Sequence, residues 1–139
     1  MTIPIEGLSY AVIQVIHNFG AAAIVGGAVF ALFPATQPVL IQRSLAWLVV
    51  SGWTIQGLSG MVFGATSFYF YGKLPDIHGI ATAALIIKVI CAAVGFSTAA
   101  LYLLYGKNWS VEKRHAAWKL LIVLGVIALT AAAFLRWLS

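Results

Sequence analysis

Four apolar stretches decide what this chain can become. They run over about residues 9–33, 45–70, 79–105 and 116–137, each longer than the roughly 20 residues that cross a hydrocarbon core as a helix. Only short polar segments separate them. A soluble domain carries about 25% charged residues; here 8% are charged and 63% hydrophobic, with a mean hydropathy of +1.03. A surface that poor in charge does not stay in water. The expectation is an integral, multi-pass protein of the cell inner membrane, a single domain over residues 1–139, with the lipid bilayer as its first partner.

The breaks define the architecture. Pro34, Thr36, Gln37 and Pro38 interrupt the chain after the first stretch, and Gly72, Pro75 and Asp76 after the second. The run from Gly106 to Arg114 separates the third from the fourth. Such short connections predict sequential helices that are antiparallel neighbours, hence an all-α, four-helix antiparallel bundle. Arg43, Lys107, Lys113, Arg114 and Lys119 gather on one side, while the other holds Lys73 and Arg136. The basic side is expected to be cytoplasmic, which puts the N- and C-termini on the non-cytoplasmic side. The aromatic residues suit interfacial belts, Phe68 to Tyr71 and Trp137 outside, Trp47, Tyr102, Tyr105, Trp109 and Trp118 inside. This distribution also explains the net charge of +5 without nucleic acid as a partner. The segment before Tyr10 has no basic n-region and contains Glu6, so the first stretch is expected to remain as a span.

Two patterns of small residues stand out. Ala22/Gly26 and Ala23/Gly27 in the first helix, and Gly60/Gly64 in the second, are small-xxx-small steps that let backbones approach. Arg43-x-x-Ala46-Trp47 and Arg114-x-x-Ala117-Trp118 form a faint repeat, and its register aligns His17 with Lys88.

Polar groups inside apolar helices are the candidates for function. His17 and Asn18 open the stretch Val15 to Gly27. At about 1.5 Å per residue, His17, Lys88, Met61 and Cys91 all fall in the outer half of the bundle. An imidazole with soft sulfur ligands suits Cu(I), so His17, Met61 and Cys91 form a candidate metal set; the plain alternative for Met61 and Cys91 is packing. Lys88 lies too deep to snorkel. It is read as a proton acceptor, an anchor for an anionic group such as a haem propionate, or an amine bonded to backbone carbonyls. His78, after Asp76 at the outer mouth, pairs with His17 as the one candidate set of haem b ligands, although their depths differ by about 10 Å. Asn18, Trp53 and Gln56 read as hydrogen-bonding groups between helices. With Glu6, Asp76 and Glu112 as the whole acidic complement, there is no carboxylate pair for hydrolysis. Walker, dinucleotide, HExxH and CxxC motifs are missing too, and the chain is not expected to be an enzyme by its side chains alone.

His17-x-x-Gly20-Ala21-x-x-x-Val25-Gly26-Gly27 resembles the first-helix motif of the copper resistance protein D (CopD-like) membrane domain, with Ile24 where that pattern carries tryptophan. Arg43 before a second helix with Ser51-Gly52, then Gly79 and Lys88 in the third, are similar too, so the resemblance spans about residues 12–137. It implies a four-helix membrane domain for copper uptake or tolerance, with His17 and Lys88 as its polar signature. Three functions are thus open: copper binding or translocation, electron transfer through a b-type haem, and an accessory subunit of a larger membrane complex. The first two imply a periplasmic copper or electron carrier as partner.

Overall fold

Prolines and glycines set the helix ends in the computed structural model, which describes residues 4–138. Helix α1 (Ile5–Leu32) begins directly after Pro4, and α2 (Val39–Tyr71) directly after Pro38. Proline fits there because the first turn leaves its N–H groups unpaired in any case. Gly72 ends α2 in the left-handed region, at φ 67°, where a side chain would be strained. Helix α3 (Ile80–Tyr105) runs into a single 3₁₀ turn, Gly106–Asn108. Helix α4 (Val111–Leu138) follows Ser110, whose Oγ accepts the Lys113 N–H at 3.2 Å.

All four helices are long and apolar enough to cross a membrane. Three begin earlier than their apolar stretches suggest: α1 at Ile5, α2 at Val39 and α4 at Val111. Hydropathy marks the lipid-compatible part, whereas backbone hydrogen bonding continues through Gln42, Arg43 and Ser44 and through Glu112 to His115. At about 1.5 Å per residue, α2 is about 50 Å long, well beyond a hydrocarbon core of about 30 Å. Arg43, Lys113 and Arg114 therefore lie on helix ends rather than in loops.

The helices pack in a ring, α1 on α2, α2 on α3, α3 on α4 and α4 on α1, which leaves α1 and α3 at opposite corners. Ile24, Val49, Trp53, Tyr102, Trp118 and Leu121 fill the centre. Outside, Val15, Ile16, Phe19, Ile86, Val89 and Ile90 are exposed, an apolar girdle that suits a lipid bilayer and not water.

Small residues draw α1 and α2 together, though not all those expected. A Cβ on Gly52 would lie 2.9 Å from the Gly20 carbonyl oxygen, and one on Gly27 3.0 Å from Val49. Gly26, Gly57 and Gly60 face open space, and Gly64 meets only the Leu74 side chain at 3.8 Å. The Gly60/Gly64 step is therefore no helix contact, because that face of α2 looks outward. The faint repeat does not carry equivalent positions either: Trp47 is 59% exposed, whereas Trp118 is fully buried. Tyr102 is buried too, so these two aromatic residues belong to the core and not to a belt.

Candidate functional site

Three helices each send one polar side chain to the same point. From α1 comes His17, from α2 Ser59 and from α3 Lys88. His17 Nδ1 lies 2.6 Å from Ser59 Oγ, and His17 Nε2 lies 2.9 Å from Lys88 Nζ. The second contact joins the two helices at opposite corners, so it passes through the interior. Gln56, one turn from Ser59 on α2, donates from Nε2 to the His17 carbonyl oxygen at 2.5 Å. His17 and Lys88 are half-buried, while Ser59 and Gln56 are buried.

The contacts determine where the protons sit. Ser59 Oγ lies 2.6 Å from the Ile55 carbonyl oxygen, which can only accept. The one hydroxyl proton of Ser59 goes there, so Ser59 accepts from His17 Nδ1–H. Between Nε2 and Nζ the strong form is charge-assisted, an ammonium donating to imidazole or an imidazolium donating to amine. A neutral amine donating one N–H to Nε2 serves the same contacts, so the geometry fixes the Nδ1 proton and not the net charge of the pair.

No carboxylate contacts this pair among the described residues. Glu6 accepts from the Tyr71 hydroxyl and lies about 16 Å up α1 from His17. Asp76 pairs with His78 at 2.7 Å, and Glu112 stands in the first turn of α4.

The other candidates fall elsewhere. Met61, two residues from Ser59 and so about 200° round α2, points outward and is 65% exposed. Cys91 is buried one turn deeper than Lys88 on α3. His17, Met61 and Cys91 therefore do not form a three-ligand copper site in this arrangement, and both ring nitrogens of His17 are already bonded. Asn18 is exposed and accepts from Gln14 Nε2 at 2.8 Å along α1, outside the site. His78 is 83% exposed before the start of α3, about 12 Å of helix above Lys88. His17 and His78 are not positioned to share a haem iron. No cluster of three or more His, Cys, Asp or Glu occurs among the described residues.

Sequence reasoning missed a second polar cluster toward the other end of the bundle. Tyr102 on α3 donates its hydroxyl to Gln42 Oε1 on α2 at 2.5 Å, both buried. Its ring packs against Trp118 with centroids 5.1 Å apart and meets Trp109 edge-on at 5.8 Å. The available signal was Gln42, a polar residue four positions before the buried Ala46 and hence on the same helix face. Ser59 was missed likewise; it stands three positions after the buried Gln56 on α2, on neighbouring helix surface. His115 lies in the first turns of α4, its Nε2 3.2 Å from Thr36 Oγ1.

Compared with known proteins, the chain matches no family model, no curated protein and no solved structure.

Proposed function

We propose that the chain is a multi-pass protein of the cell inner membrane, an antiparallel bundle of four spans with both termini on the non-cytoplasmic side, which binds a small anion in its outer half. The observation that carries this reading is the 2.9 Å contact between Lys88 and His17, an amine–imidazole pair that becomes a positive centre on gaining a proton and has no carboxylate partner among the described residues. Removing a charge from water costs several kcal/mol unless a counter-charge repays it. A mobile anion supplies that counter-charge, and an ammonium has three N–H donors of which His17 uses one. The excess of Arg and Lys at the Arg43, Lys107 and Arg114 end supports the orientation.

Binding that favours the folded state raises stability, by about 2.7 kcal/mol at a hundredfold excess over Kd. Chloride or formate, exchanged for bulky gluconate at constant ionic strength, should raise the Tm of the detergent-purified protein. Lys88→Gln should abolish the rise and Lys88→Arg should retain part of it. A wild-type Tm indifferent to the anion overturns the reading.

Copper handling, which the resemblance to the CopD-like domain implies, is the second reading. Buried Cys91 favours it, since a thiol one turn from Lys88 puts a soft ligand on the same side of α3. Cu(I) as cargo would have to displace Lys88 from His17 Nε2. Anaerobic copper loading tests it: stoichiometric metal lost in both His17→Ala and Cys91→Ser supports this reading, and no retained metal removes it.

A further inference from the structure

At the centre of the bundle the helices are closely packed: a Cβ on Gly95 would lie 2.5–2.7 Å from the Trp53 indole. Larger partners therefore meet the chain at its surface, and there the two ends differ in charge. Side-chain contacts identify what shares an end. Gln42 near the start of α2 bonds Tyr102 near the end of α3, Tyr102 packs on Trp118 and Trp109, and Thr36 meets His115. Arg43, Lys107, Lys113, Arg114 and Lys119 accordingly stand at this one end, against the single carboxylate of Glu112. At the other end Lys73 and Arg136 are matched in number by Glu6 and Asp76.

Two of the five cations are engaged on Trp109. Arg114 donates to its carbonyl oxygen at 2.5 Å, and Lys113 Nζ stands 4.5 Å over its ring. Arg43 on α2, Lys107 in the turn after α3 and Lys119 on α4 are exposed, and none of them pairs with a carboxylate among the described residues. Exposed apolar bulk lies just inside them. Trp47 follows Arg43 by four residues and Val123 follows Lys119 by four, so each is one turn nearer the middle of the bundle on the same helix face. Tyr105, exposed, comes two residues before Lys107. A free anion would engage the cations alone. A molecule with an anionic head and a hydrocarbon tail engages both rows.

We propose that this end of the bundle is a docking surface for anionic phospholipids, with Arg43, Lys107 and Lys119 at the phosphates and Trp47, Tyr105 and Val123 along the glycerol backbone and upper acyl chain. Tryptophan and tyrosine favour the headgroup level of a bilayer, and each Lys or Arg beside an anionic leaflet strengthens attraction about fivefold. The surface is separate from the Lys88–His17 pair, since Tyr102 stands fourteen residues beyond Lys88 on α3, about 21 Å of helix.

The test is lipid retention by the full chain. Protein reconstituted in equimolar phosphatidylglycerol and phosphatidylcholine with matched acyl chains is re-extracted in mild detergent, and the retained phospholipid is quantified. Wild type should hold phosphatidylglycerol over phosphatidylcholine by about tenfold or more. Each of Arg43→Gln, Lys107→Gln and Lys119→Gln should lower that ratio by up to about fivefold, and the triple variant should bring it close to one. Lys73→Gln/Arg136→Gln, at the other end, and Lys88→Gln should leave it unchanged. A wild-type ratio near one overturns the proposal, as does an enrichment that survives the triple variant or falls equally in Lys73→Gln/Arg136→Gln. Inorganic phosphate should displace no more phosphatidylglycerol than chloride of the same ionic strength; selective displacement by phosphate makes this a site for free phosphate and overturns the lipid assignment.

Discussion

Lys88 Nζ stands 2.9 Å from His17 Nε2, a bond between helices at opposite corners of the ring. Such a bond ties α1 to α3 without a shared packing face, and the imidazole completes the tie by reaching Ser59 on α2. One histidine therefore holds three of the four helices together at one depth.

The imidazole should have a fixed proton at Nδ1. In ¹⁵N-histidine NMR of the purified protein, His17 Nδ1 is expected as a protonated nitrogen whatever the charge on Lys88. Ser59→Ala removes its acceptor and should shift that resonance while lowering stability by about 0.5–2 kcal/mol, the range for hydrogen bonds between membrane helices. A His17 protonated at Nε2 alone contradicts the assignment.

Glycines on α2 should divide sharply by face. Gly52→Ala places a Cβ 2.9 Å from the Gly20 carbonyl oxygen and 3.2 Å from the Ile24 nitrogen, both backbone atoms that cannot swing away. Its expected cost is about 1–3 kcal/mol. Gly60→Ala meets nothing within 4 Å and should stabilise the helix by about 0.5–1 kcal/mol. Unfolding of the two variants in mixed detergent measures the contrast, and equal effects would refute it.

Tyr102 and Gln42 should behave as a coupled pair. Tyr102→Phe leaves the buried Gln42 Oε1 without its donor and should cost about 1–3 kcal/mol. The double variant Tyr102→Phe/Gln42→Leu removes both partners and should recover part of that loss. A double-mutant cycle that closes with no coupling denies the bond a role in stability.

Met61 and His78 should matter little. Both are largely exposed, and surface substitutions stay within about 0.5 kcal/mol. Met61→Leu and His78→Ala are expected to leave Tm and its response to anions unchanged; a loss of that response in either variant would move the site.

The sequence and the structure agree where the signal is long-range hydropathy. Four apolar stretches separated by Pro34, Pro38, Gly72 and Pro75 are visible without coordinates, and so is the oddity of His17 and Lys88 in apolar surroundings. Azimuth is what escaped. Depth along a helix puts Met61, Cys91 and Lys88 near His17, yet a two-residue step from Ser59 turns Met61 outward. Hydroxyl residues escaped for a related reason: Ser59 and Thr66 look alike in sequence, since a serine or threonine satisfies itself on the carbonyl four residues back. Only packing reveals that Ser59 also meets an imidazole. The buried Gln42–Tyr102–Trp118 cluster was hidden by its position near a helix end, where aromatic residues read equally well as an interfacial belt.

The absence of a side chain at Gly95 has a consequence for how this chain can change in length. With the Trp53 indole filling that space, shifting α3 by a single residue would present the Val94 or Phe96 side chain where only a hydrogen fits. Insertions or deletions between Ile80 and Gly95 are therefore expected to be blocked, whereas the stretch from Gly72 to Gly79 outside the helices can take up additions. Natural variation in length should be tolerated in that connection and excluded from the part of α3 that precedes Gly95.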